Sequence, residues 1–174
     1  DKVSHFRAKY RSSGLNIGIS WRSVSYSTGP EKSMRLSDLA PVLRLPSTRI
    51  YDMQYDDSLG EREALAAHGI KIIHDEEVDQ LLDMDTFIAQ VAAMDMVVTT
   101  SNTLAHIAGA LGVPTHVLLP IGRGNLWYWF KDRADSPWYK SVSLYRQFML
   151  GDWTWPVSIA AAQISMAGVQ CRSA

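Results

Sequence analysis

The sequence predicts an α/β fold, a Rossmann-like doubly wound parallel sheet of about six short strands with helices on both faces. Three observations lead there. Apolar runs of strand length alternate with segments of helical periodicity along the chain. Glycine and proline punctuate the joins, where turns are required. Residues 94–120, MDMVVTTSNTLAHIAGALGVPTHVLLP, read as a complete strand–turn–helix–strand unit. Such units cross over right-handedly and lie in a parallel sheet.

That unit is the most informative stretch. Met96 to Thr100 is a buried strand, and Ser101, Asn102 and Thr103 are three consecutive helix-start residues. Leu104, Ile107, Ala108 and Leu111 recur at helical spacing, Gly112 stops the helix, and Thr115 to Leu119 is apolar again. The turn falls at the C-terminal end of a parallel strand and the N-terminal end of a helix. Free N–H groups and the helix dipole converge there, which suits a phosphate. The same triplet also serves as a plain N-cap, and His106 as a half-buried histidine.

The remaining elements follow in order. Residues 1–14 are polar and basic and read as a connecting helix or arm, or as a frayed end, that breaks at Ser12-Ser13-Gly14. Asn16 to Trp21 is the first strand, and Arg22 follows at its functional edge. Ser23 to Ser33 is loop-like, and a helix capped by Ser37 or Asp38 runs to about Leu45. Arg22, Lys32 and Arg35 give this edge three cations, suited to a diphosphate or equally to solvent. Arg49 to Gln54 is the second strand, Glu61 to His68 a helix stopped by Gly69, and Ile70 to Ile73 a short third strand. The acidic run from His74 to Asp83 reads as a solvated loop, since it lacks the ligand-and-glycine alternation of a calcium loop. Asp85 is the expected cap of the next helix, which buries Phe87, Ile88 and Val91. After Pro120, Ile121 to Tyr139 is a long ordered loop rich in aromatics, placed to stack on a ligand or to cover the sheet edge. Ser143 to Gln147 is the last strand, and Val157 to Ala167 an Ala-rich helix ended by Gly168.

Composition excludes several classes. The 174 residues carry a net charge of −1, so there is no electrostatic footprint for nucleic acid. No apolar run is long enough to span a membrane. The single cysteine, Cys171, cannot form an internal disulfide, and a reducing, cytoplasmic compartment is expected. The five histidines form no zinc pattern. The motifs of classical dinucleotide sites, P-loops and nucleophile elbows are absent. The chain opens on Asp1 rather than Met, and a fragment of a longer protein is the expectation.

The stretches GISWR, DMQY, TTSNTLAHIAGALGVPTHVLLP, SPWYKSVSLYRQ and GDW together resemble the C-terminal half of family 9 glycosyltransferases, the lipopolysaccharide heptosyltransferase-like group. The closest likeness is to the bacterial branch fused to tetratricopeptide repeats. The resemblance implies one half of a GT-B fold, with residues 15–174 as the nucleotide-sugar-binding domain and 1–14 as the interdomain connection. The donor would be a nucleotide-diphosphate sugar, with no cofactor and no metal. The acceptor would be held by an N-terminal domain outside this chain, which alone would be inactive. The family motif Asp-Thr-Gly-x-x-His falls on Ser101, Asn102, Thr103 and His106. The histidine is kept; the acid and the glycine are not. The family's diphosphate-binding lysine matches Lys32, with Arg22 close by. Met84 falls where the family contacts the base, and Gln54 and Glu61 where it contacts the ribose. Ser101, Asn102, Thr103 and Leu104 would then form the diphosphate turn, with Arg22, Lys32 and His106 around the departing phosphate. Asp83-Met84-Asp85 has the letters of a metal motif, but its place at a helix start argues against that role. A non-catalytic nucleotide-binding or interaction module, and a sugar-nucleotide epimerase domain, are the alternatives.

Overall fold

Six parallel strands form one sheet in the computed structural model, which describes residues 1–170. Cys171 lies outside the described residues. In chain order the elements are α1 (Lys2–Lys9), β1 (Leu15–Ser20), α2 (Gly29–Lys32), α3 (Ala40–Leu43), β2 (Thr48–Asp52), α4 (Leu59–Ala66), β3 (Ile72–Ile73), α5 (Met84–Val91), β4 (Met96–Thr100), α6 (Thr103–Ala110), β5 (Thr115–Leu119), β6 (Val142–Arg146) and α7 (Thr154–Gln170). The strand order is β3-β2-β1-β4-β5-β6. The chain winds outward from β1 to β3, returns to the middle and winds outward again from β4. The direction of winding therefore reverses between β1 and β4, and ligands of open α/β sheets bind at the carboxyl ends of the strands beside such a point.

Strand periodicity divides the core between the two faces. Ile17 and Ile19 of β1, Ile50 of β2 and Val98 of β4 pack with Leu39, Val42, Val157 and Ile164 on the face of α3 and α7. Tyr51 and Val97 point the other way, toward Phe6, Phe87, Val91 and Leu104 of α1, α5 and α6. Gly18 lies on that second face because a Cβ there would sit 2.4 Å from Met53 Sδ. Glycine at this position is thus a core-packing requirement.

Several element boundaries differ from expectation for local reasons. Neither Ser37 nor Asp38 caps a helix. Asp38 instead accepts the Arg35 N–H at 2.9 Å, closing a 3₁₀ turn at Leu36–Leu39 before the one-turn α3. Asp83, not Asp85, caps α5, accepting the Thr86 N–H at 3.0 Å. The Thr86 hydroxyl and N–H, with Lys2, hold the Asp83 carboxyl down to about 2. Gly168 does not end α7, which starts earlier and runs to Gln170; one glycine inside a helix costs only about 1 kcal/mol.

The N-terminal segment is a docked helix. Phe6 and Tyr10 are buried against the second face. Asp75, from the acidic run read as solvated, is buried as well and accepts from the Tyr10 hydroxyl at 2.5 Å and Lys9 Nζ at 2.8 Å. Burial pushes its carboxyl up, but the bonds from Lys9, Tyr10 and the Glu77 N–H outweigh this and hold it below the usual range. Among the described residues no helix is long and apolar enough to cross a membrane.

One half-buried base makes stability depend on pH. His116 of β5 shares a 2.8 Å hydrogen bond with the Tyr145 hydroxyl, which donates onward to Gln163. Burial pushes His116 down to about 4, from an ordinary 6.5. Between those values the unfolded chain holds a proton that the folded chain does not, so stability should fall as pH drops from 6.5 toward 4. The expected loss from this group is about 2–3 kcal/mol, read by chemical denaturation at pH 7 and pH 4.5. His116→Gln should flatten that dependence.

Candidate functional site

The site gathers where β1 and β4 end. Asn102 ties the two strands together. Its Nδ2 donates to Ser20 Oγ at 2.7 Å and to the Arg22 carbonyl at 3.2 Å. Its Oδ1 accepts from Thr99 Oγ1 at 3.0 Å and from the Leu104 N–H at 3.1 Å, which caps α6. Gln54 performs the matching task from β2. Its Oε1 accepts from Ser20 Oγ, the Trp21 N–H and the Arg22 N–H, at 2.9, 3.0 and 3.0 Å. Both side chains thus hold the framework of the edge. Gln54 Nε2 is buried and has no partner among the described residues. At the start of α6 the Leu104 N–H is taken by Asn102, whereas among the described residues the Thr103 N–H meets no acceptor. Thr103 itself is exposed.

Lys32 is the unusual group. It ends α2 and is only 5% exposed. Among the described residues no carboxylate lies within salt-bridge reach of it. Burial alone pushes its ammonium below the ordinary lysine value. Thr100, at the end of β4, donates its hydroxyl to the Lys32 carbonyl, which fixes α2 against the switch point. His106 lies close enough that burial first, and the Lys32 charge second, push its imidazole down.

An aromatic shelf holds His106. Its ring stacks on Trp129 with centroids 5.1 Å apart, and meets Tyr128 and Tyr139 edge-on. Nδ1 shares a 3.1 Å hydrogen bond with the Tyr139 hydroxyl. Trp129, fully buried, donates Nε1–H to Ser101 Oγ at 2.8 Å. Tyr139 approaches so closely that a Cβ on Gly109 would lie 2.6 Å from its ring. The long loop therefore covers the sheet edge with Trp129 and Tyr139, while Trp127 stays exposed. Phe130 has a positive φ of 59°, a conformation rare for a bulky residue. Arg146 and Asn125 hold it by donating to the Phe130 carbonyl.

Beside the α6 N-terminus lies a cavity of about 250 Å³, lined chiefly by Val24, Met53, Tyr55, Met84, Thr103 and Leu104. Its walls are mostly apolar, as small-molecule pockets usually are. The structure thus brings Met84, Thr103 and Leu104 to one cavity, and Lys32, Ser101 and His106 to the adjoining edge. Val24 and Tyr55 were missed by sequence reasoning. They sit just after β1 and β2, so their place beyond strand ends was the available signal.

Arg22 and Glu61 are differently engaged. Arg22 donates to Asp56 through Nε at 3.2 Å and Nη2 at 3.1 Å, to the Asp57 carbonyl at 2.9 Å, and pairs with Glu61. Glu61 also accepts from Trp21 Nε1 at 3.2 Å and the Leu36 N–H at 3.2 Å. Neither side chain faces the α6 turn uncommitted. Together they fasten the β1 edge to α4.

No protein-family model matches the chain. Among curated proteins it is similar to protein FlbA of Caulobacter vibrioides, 29% identical over 160 residues that cover 87% of this chain and 26% of that protein. Among solved structures it superposes on E. coli ADP-heptose LPS heptosyltransferase II with a TM-score of 0.59 and 18% identity, covering 99% of this chain and 52% of that one. It superposes on a family 9 glycosyl transferase from Veillonella parvula with a TM-score of 0.61 and 11% identity, covering 98% and 50%. The chain thus spans about half the length of these enzymes and about a quarter of FlbA. At these identities the likeness is one of fold: the chain has the Rossmann-like α/β architecture found in GT-B glycosyltransferases of family 9.

Proposed function

We propose that this chain is the donor-binding half of a glycosyltransferase and holds the diphosphate of a nucleotide sugar at the N-terminus of α6. The observation that carries the reading is Lys32, a residue only 5% exposed and without a carboxylate partner among the described residues, near enough to His106 to depress its imidazole, at the edge where the Thr103 N–H is open. A buried cation left unpaired is costly, and an anion from outside is the natural complement. The base and ribose fit the apolar cavity beside Met84 and Leu104. Glycosyl transfer breaks the bond between the anomeric carbon and the diphosphate, so negative charge grows on the departing phosphate. Lys32 and the helix N–H groups stabilise that charge in place, without reorganising. In the tautomer whose Nδ1 accepts from the Tyr139 hydroxyl, a neutral His106 carries its proton on Nε2 and serves as a donor rather than a base. Acceptor binding and the base fall to an N-terminal domain outside this chain, and residues 1–174 alone are expected to bind without turning over.

The test is a thermal-shift screen with ADP, UDP, GDP, CDP and their sugar conjugates. A ligand at 100 times its dissociation constant stabilises by about 2.7 kcal/mol. One diphosphate should shift the melting temperature clearly and the others less. ADP-sugars come first, since one of the matched enzymes is named for ADP-heptose. Thr103→Ala should weaken binding by less than about 1 kcal/mol, because the backbone N–H remains. The absence of any shift for a folded chain would contradict the reading.

A second reading, a GT-B-like module that binds without catalysis, is favoured by Arg22. Its guanidinium is committed to Asp56 and Glu61, and Ser101 stands where the family has an acid. Transfer activity restored by adding the N-terminal half would decide against this module.

A further inference from the structure

We propose that Glu31 is a positioning residue whose hydrogen bond to the Gly122–Gly124 turn holds Lys32 against that turn and so fixes where its ammonium meets an anion. The inference rests on the diphosphate reading for what the anion is, but its geometry stands independently. Glu31 and Lys32 are adjacent on α2, and neighbours in a helix point in different directions, so each meets a different part of the same turn. Glu31 Oε2 accepts the Gly124 N–H at 2.7 Å, and the other oxygen faces Arg123 Nε at 3.9 Å. The turn that captures the carboxylate also presses on the lysine. A Cβ on Gly124 would lie 2.9 Å from Glu31 Cβ, 3.3 Å from Lys32 Cγ and 2.8 Å from Pro120 Cγ. Only glycine lets the turn after β5 come this close to α2. Thr100 holds the Lys32 carbonyl from the opposite side. The lysine is therefore clamped between the end of β4 and the turn after β5, and Glu31 fastens that turn to α2.

Three substitutions separate this latch from a simple charge effect. Glu31→Gln keeps an acceptor for Gly124 and removes the charge. Glu31→Ala removes both. Gly124→Ala forces the turn away from α2. The first readout is the titration of Lys32 itself, followed by NMR of chain labelled with ¹³C-lysine, its signal assigned by loss in Lys32→Met. Lys32 should titrate below the ordinary lysine value in the native chain and in Glu31→Gln, and nearer to it in Glu31→Ala and Gly124→Ala. The second readout is calorimetric affinity for the nucleoside diphosphate selected by the screen, divided by that for its nucleoside. This preference should survive Glu31→Gln and fall about tenfold in the other two, the loss of one charge-assisted hydrogen bond. Identical Lys32 titration in all four chains would overturn the latch, as would Glu31→Gln behaving like Glu31→Ala. If the Lys32 titration responds as described but the native chain binds no diphosphate, the latch stands and the diphosphate reading falls.

Discussion

Lys32→Met should make the fold more stable and at the same time remove most of its affinity for a nucleoside diphosphate. Methionine matches the unbranched lysine stem and fills the same space. It leaves out the ammonium of a residue that is 5% exposed and has no carboxylate partner among the described residues. Relieving that burial should add about 1–3 kcal/mol, a rise in melting temperature of roughly 3–9 °C for a chain of this size. The lost charge-assisted bond to phosphate should cost about 1.5–3 kcal/mol of binding, tenfold to about 150-fold in affinity. The pH dependence has a definite sign. Because burial lowers the folded-state value of Lys32 below 10.5, the unfolded chain holds the extra proton between the two values, and native stability should rise with pH across that window. Diphosphate binding should weaken over the same window as the ammonium is lost. Lys32→Met should show neither trend. A less stable Lys32→Met with unchanged affinity would mean that the ammonium is a structural contact.

Asn102→Ala should be the most damaging single change at the edge. The side chain is 8% exposed and makes four hydrogen bonds, to Ser20, Arg22, Thr99 and Leu104. Truncation removes the α6 cap and leaves buried donors and acceptors on two strands without partners. The expected cost is about 2–4 kcal/mol, or a fall of roughly 5–15 °C in melting temperature. Asn102→Asp keeps the cap through one oxygen but loses both donated bonds and sets a negative charge beside the phosphate turn. It should therefore lose diphosphate affinity beyond its loss of stability. Equilibrium denaturation of both variants, with nucleotide titration of the Asp form, checks the pair. An Asn102→Ala within about 0.5 kcal/mol of the native chain would show that the strands need no such bridge.

The β4–α6–β5 unit was legible because every local signal agreed: strand length, cap residues, helical spacing and a Gly112 stop with a φ of +74°. The edges of α3 and α5 were less so, since Ser37, Asp38 and Asp85 are all good caps in isolation. The choice among them was settled by Arg35 and Thr86, which claimed Asp38 and Asp83. At the site, Lys32 was legible as a cation and its burial was not. That burial depends on Thr100 and Gly124, far along the chain. Arg22 drew attention for the same reason as Lys32, yet Asp56 and Glu61 occupy it. Their position just past the end of β2 was the sign that this edge carries acids as well as bases. Asn102 and Gln54 look like ligand contacts in sequence; in the fold Asn102 and the Gln54 Oε1 join β1, β2 and β4, while Gln54 Nε2 has no partner among the described residues.

The most direct measurement is a crystal structure of the chain with the nucleoside diphosphate that the screen selects. Phosphate oxygens should lie within hydrogen-bond distance of Lys32 Nζ and the Thr103 N–H, with the base in the cavity between Met84 and Leu104. Phosphates bound at the opposite end of the sheet, for example in the cavity of about 500 Å³ beside Arg7 and Arg11, with Lys32 untouched, would contradict this placement.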